Sequence, residues 1–118
     1  MKILWLVVLA VVSLAQAQDA PSHFLIELEL APGVDLAHLS QAQMAVFQQH
    51  GAHLMKLRDE GVVIVGGHTD DMQHMRAIVI VKARDATAAR AVSAEDPAVK
   101  SGLLKASVES FTLAIPPR

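Results

Sequence analysis

Six histidines and twelve carboxylates stand in this chain of 118 residues, with no cysteine. The pairing that could do chemistry is histidine with aspartate: an imidazole takes or gives a proton near neutral pH, and a carboxylate beside it orients the ring and stabilises its charged form. His50 is a candidate, with Asp70, Asp71 and Asp96 as possible partners. The same residue types could instead hold a metal. His50 and His53 stand three apart, and His68, His74, Asp70 and Asp71 follow, but no tight signature such as H-E-x-x-H is present. His50, His53 and His68 are therefore only weak metal candidates. The ordinary alternative is a half-buried histidine with one structural hydrogen bond, the aspartates serving as turn residues and caps. No activated nucleophile is evident. Gly66-Gly67 is not a phosphate loop, because no G-x-x-x-x-G-K follows, so no cofactor is called for.

These residues must be held by local structure, and the pattern supplies it. His23–Leu30 alternates, with Phe24, Ile26, Leu28 and Leu30 on one face, and predicts a half-buried strand ended by Ala31-Pro32-Gly33. From Asp35 or Ser40 to Glu60 the spacing of Leu36, Leu39, Phe47, Leu54 and Leu57 predicts a helix. Ser40–Gln43 has capping-box form and Gly61 sits at the C-terminal cap position. Val62–Val65 is a short buried strand, Gly66–Asp71 a turn, and Arg76–Lys82 a further strand. Asp85 caps a second helix over Ala86–Ala94, which ends before Asp96-Pro97. Ser107–Leu113 is the last strand. The order β-α-β-β-α-β is that of ferredoxin-like α+β domains.

His50 rather than His53 faces inward on this reading. At 3.6 residues per turn His50 continues the Phe47/Leu54/Leu57 stripe, whereas His53 lies roughly 80° from its centre and is expected to meet water.

The start of the chain is of a different kind. Lys2, an apolar run from Ile3 to Val12 and an Ala15-x-Ala17 exit read as a signal peptide over residues 1–17, cleaved after Ala17 to leave one domain over 18–118. The apolar run is too short to span a bilayer comfortably, and none follows it, so no membrane association is expected after cleavage. The mature chain keeps nine Lys and Arg against twelve Asp and Glu. A mildly acidic domain without a basic cluster is a poor nucleic-acid binder. It can bury one core and, without disulfides, must hold together by that core alone, indifferent to an oxidising compartment; the leader makes it a secreted or periplasmic protein. Two helices cover one face of a four-stranded sheet, yet Val62–Val65 and Ala77–Val81 are apolar at every position. A second copy of the chain is the expected cover for the other face.

The run His50-Gly51-Ala52-His53-Leu54-Met55-Lys56-Leu57-Arg58-Asp59-Glu60-Gly61, then Val62–Val65, Gly66-Gly67-His68 and Asp96-Pro97-Ala98-Val99-Lys100-Ser101-Gly102, resembles the YCII-related (YciI-like) family of the dimeric α+β barrel superfamily. The family histidine lies eleven residues before the helix-ending glycine, as His50 lies before Gly61, although His53-Leu54 reproduces the family's His-Leu pair. The resemblance implies a ferredoxin-like βαββαβ domain forming a dimeric α+β barrel. It also implies His–Asp acid–base chemistry at His50 with Asp70 or Asp96. Gly51 stands in place of the family's leucine, His68 in place of the proline of Gly-Pro, and Ala98 in place of an aromatic. The expected function is a small homodimeric enzyme of lyase or isomerase type acting on a small organic molecule. The rival is a non-catalytic dimer binding a small molecule or a metal, and a third class is a purely structural dimer. A cavity with His50 beside an acid favours the first.

Overall fold

The first strand, β1 (Ser22–Leu30), is central because its alternation gives it one strongly apolar face: Phe24, Ile26 and Leu28 are all buried. The protein is described by a computed structural model over residues 22–118, and the expected leader and the mature start at Gln18 lie outside the described residues. After a turn with Gly33 in the left-handed region (φ 82°), the chain enters α1 (Gln41–Asp59). Ser40 accepts a hydrogen bond from the Gln43 backbone amide while the Gln43 side chain accepts from the Ser40 amide, closing the capping box. The helix stops at Gly61 (φ 80°). There the Gly61 and Val62 amides donate to the carbonyls of Arg58 and Leu57, a Schellman closure that a side chain at Gly61 would strain.

Strand β2 (Val63–His68) leads back to β3 (Arg76–Ala83), then α2 (Ala86–Ala94), a single turn α3 (Pro97–Lys100) and β4 (Leu104–Phe111). The sheet order is β2-β3-β1-β4, all antiparallel. The helices lie on the face carrying Phe24, Ile26, Leu28, Val79, Val81 and Leu104, where Leu28 and Val81 are almost wholly enclosed. Each such side chain contributes about 1.5–3 kcal/mol by leaving water. Helix α2 seats close to the sheet because the residues it turns inward, Ala89 and Ser93, are small. Asp85 caps it, accepting from the Ala88 amide at 2.8 Å. Helix α1 sits more loosely: Val46, Phe47, His50, His53, Leu54 and Leu57 form one three-and-four stripe, but every one is only half-buried.

Three local expectations change. Gly66-Gly67-His68 is strand, not turn: Gly66, Gly67 and His68 pair with Val79, Ile78 and Ala77. Cross-strand hydrogen bonding outweighs the low strand preference of glycine. One extra residue, Ile64, is accommodated between the pairs Val63–Val81 and Val65–Ile80 as a bulge. The last strand begins at Leu104 rather than Ser107, because Leu104, Ala106 and Val108 continue the inward alternation beneath Leu30, Leu28 and Ile26. The segment after Asp96 is the helical turn α3, with Pro97 at a position where the missing amide costs nothing.

Candidate active site

His50 lies on the inward stripe of α1, at the middle of the helix. Asp96 lies at the junction of α2 and α3, where the caps of two helices follow one another. Its carboxylate is the N-cap of α3: Oδ1 accepts from the Ala98 amide at 2.9 Å. Helix α3 packs against α1, and the cap is carried to the histidine. His50 Nδ1 is 2.7 Å from Asp96 Oδ2 and 2.9 Å from Oδ1, with the Asp96 side chain 4% and the His50 side chain 18% exposed. A buried carboxylate needs donors, and here one backbone amide and one ring N–H provide them. The carboxylate can only accept, so His50 Nδ1 carries the hydrogen and Nε2 keeps the free lone pair. Phe47 meets the ring edge-on, centroids 6.3 Å apart at 87°, and limits its rotation.

The ring forms part of the wall of a cavity of about 370 Å³ between α1 and the inward face of β2 and β3. Leu54, Val63, Ala77 and Val79 give it an apolar lining, and Arg58 and His68 add polar groups. Gly66 is part of the same wall and pairs with Val79. A Cβ there would come within 3.3 Å of the Ile78 carbonyl, so the strand backbone itself is the surface at that point.

The other sequence candidates are elsewhere. Asp70 is exposed on the β2–β3 loop, and no hydrogen bond or ion pair joins it to His50 among the described residues. Asp71 is engaged locally: its carboxylate accepts from the amides of Gln73 and His74, and the His74 ring lies 3.3 Å away. The Gln73 amide first, then the His74 side chain, hold its pKa below the ordinary aspartate value. His53 is half-buried rather than open to water: its Nε2 is shielded and, among the described residues, without a hydrogen-bond partner. The three weak metal candidates do not converge: among the described residues no group of three or more His, Cys, Asp or Glu side chains is placed to hold a metal ion. Arg58 was not singled out by sequence reasoning, although its position eight residues beyond His50 and four beyond Leu54 sets it on the same helix face.

A four-stranded antiparallel sheet covered on one face by helices, with a His–Asp pair at the helix–sheet cavity, defines an α+β protein of the ferredoxin-like class. The chain belongs to the YCII-related domain family, whose model matches residues 24–112. Among solved structures it is similar to 5-chloro-2-hydroxyhydroquinone dehydrochlorinase (TftG) from Burkholderia phenoliruptrix AC1100, in complex with 2,5-dihydroxybenzoquinone. Identity is 26%, the TM-score 0.60, and the match covers 76% of this chain and 93% of that one. The uncharacterized protein TM1266 from Thermotoga maritima shares the fold at 6% identity and TM-score 0.52, covering 79% of this chain and all of that one. No curated protein matches the sequence.

Proposed function

We propose that this chain is an exported, homodimeric acid–base enzyme of lyase or isomerase type acting on a small hydroxylated organic molecule. The observation that carries the reading is the 2.7 Å contact between His50 Nδ1 and the buried Asp96 carboxylate, with the ring on the wall of an apolar cavity of about 370 Å³. In such a site Nε2 of His50 removes a proton from carbon beside a carbonyl or enol. Asp96 then faces the imidazolium and offsets its charge. In an elimination of the type that the similar dehydrochlorinase is named for, proton transfer to the chlorine-bearing ring carbon first gives a keto tautomer; His50 then takes a hydroxyl proton, the O–H electron pair becomes a carbonyl, the ring double bond shifts, and chloride leaves with the C–Cl pair. The imidazolium returns its proton to water. A lone oriented histidine suffices for this, and the step needs no redox partner.

The test uses 5-chloro-2-hydroxyhydroquinone, followed by chloride release, and 2,5-dihydroxybenzoquinone in D₂O, followed by exchange of its ring hydrogens. Acceleration of either by the full chain is the expected result. Binding of these compounds without acceleration of either would make the protein a binding module instead.

Two parts of the reading rest on other residues. Export follows from the Ala15-x-Ala17 exit. Intact-mass measurement of protein recovered from the exported fraction should give a chain starting at Gln18, and a mass retaining Met1–Ala17 would contradict it. Dimerisation is supported by the uncovered face of the sheet, where Val65, Ile78 and Phe111 are large, apolar and exposed, with Leu25 half-buried beside them.

A further inference from the structure

The wall of the His50 cavity has a charge character of its own. Among the described residues its polar side chains are His50, Arg58 and His68, and no Asp or Glu lines it. Arg58 is, among the described residues, paired with its neighbour Asp59, at 3.0 Å, in an ion pair more than half exposed on both sides, which holds the guanidinium weakly. His68 is fixed differently. Its Nδ1 is 2.9 Å from the Thr69 carbonyl oxygen, which can only accept, so the hydrogen is on Nδ1 and Nε2 has a free lone pair. His68 faces the helices because its pairing with Ala77 puts it on the inward face of β2. It stands where the family pattern has proline, which offers neither ring nitrogen.

We propose that His68 and Arg58 form the recognition wall of this cavity, and that the substrate is a planar, hydroxylated anion of phenolate or enolate type. The substrate hydroxyl donates to His68 Nε2, and the negative oxygen lies against the Arg58 guanidinium. The flat backbone at Gly66 lets a ring approach the strand. Apolar walls with a few placed polar groups are the usual composition of a small-molecule site, and about 370 Å³ holds a single substituted ring. This rests on the cavity being the substrate site of the proposed enzyme. His68 and Arg58 are assigned to binding, and His50 to proton transfer.

The recognition wall is tested apart from proton transfer by titration. Calorimetry with 4-nitrocatechol, at a mildly alkaline pH where it is a monoanion that keeps one hydroxyl, is compared with the uncharged 1,2-dimethoxy-4-nitrobenzene on the full chain and on H68A, R58Q and D70N. Expected are binding of the hydroxylated compound by the unaltered protein and at least tenfold weaker binding by H68A and by R58Q. The dimethoxy compound should bind at least tenfold more weakly than the hydroxylated one, and D70N, outside the cavity lining, should keep its affinity within about threefold. Failure of the unaltered protein to bind the hydroxylated compound would overturn the proposal. So would unchanged affinity in H68A and R58Q, or equal affinity for the dimethoxy compound. Unimpaired proton transfer by H50Q would instead defeat the acid–base reading and leave the recognition wall standing.

Discussion

Replacing His50 by glutamine is expected to lower the rate of proton transfer from substrate at least about a hundredfold while the domain stays folded. Glutamine keeps a hydrogen-bond donor for Asp96 but has no basic nitrogen at the cavity, so the loss isolates the proton-transfer role. Asp96→Asn is the sharper companion. Asparagine is as good an N-cap as aspartate, so α3 should persist. The charge facing the imidazolium is gone, and the amide no longer demands a hydrogen on Nδ1. The ring is free to take the other tautomer, with its lone pair turned away from the cavity, and the expected loss is at least about tenfold. Nitrogen-15 spectra of the His50 ring should record the change of tautomer directly. His53→Gln and Asp70→Asn should leave the rate within about twofold, since neither residue lines the cavity or touches His50. Loss of activity in Asp70→Asn, with Asp96→Asn at full rate, would reassign the acid partner.

The other large effect distinguishes the two faces of β3. Val81 is wholly enclosed between sheet and helices, whereas Ile78, on the opposite face, is 47% exposed. Val81→Asp sets an unpaired carboxylate in the core, which costs about 4 kcal/mol or more. A domain of this size has little more than that in total, so the variant should be unfolded or insoluble. Ile78→Asp changes a residue already near water and should leave the chain folded with a normal circular dichroism spectrum. It should nevertheless dissociate the dimer, because the two-fold packing of this face would bring charged residues from both copies into one apolar patch. Light scattering at micromolar concentration should give the mass of two chains for the unaltered protein and of one chain for Ile78→Asp. A single-chain mass for the unaltered protein would remove the dimer from the proposal.

The outer face also explains how far the apolar strands could be read from sequence. Every residue of Ala77–Val81 is apolar, and the two sides do hold different environments: Val79 and Val81 beneath the helices, Ile78 and Ile80 on the far side. That face is not uniformly apolar. Ile78 is opposite Glu27, and Arg76 is opposite Glu29, which in turn pairs with Lys105. The exposed apolar residues are thus gathered at β2, β3 and Leu25, with Phe111 at the end of β4, a location that only strand order and register can give.

Local chemistry was legible where it is decided locally. The capping box at Ser40, the Gly61 stop, the Asp85 cap and the bounds of α2 depend on neighbours within four residues, and they occur where the spacing sets them. The inward phase of His50 follows from helix periodicity alone. What periodicity could not supply was the choice of aspartate. Asp96 is 46 residues away in sequence and reaches His50 only because α3 docks on α1. Nor could it foresee the shielding of His53. In β2, glycine composition pointed to a turn, and the deciding influence was the edge of β3.

The extra residue in β2 bears on how this protein is to be compared with its relatives. A regular strand without Ile64 would pair Val63 with Val81 and Val65 with Ile80 in direct succession, and everything after it would keep its partner and its face. A relative one residue shorter at this point would lack the Ile64 part of the cavity wall and keep the paired positions that follow it. Counting forward from Gly61 in such a relative would nevertheless match His68 to a position on the wrong side of the sheet. The equivalence has to be drawn by counting back from β3, with Ala77 as the fixed point, and the gap belongs at Ile64.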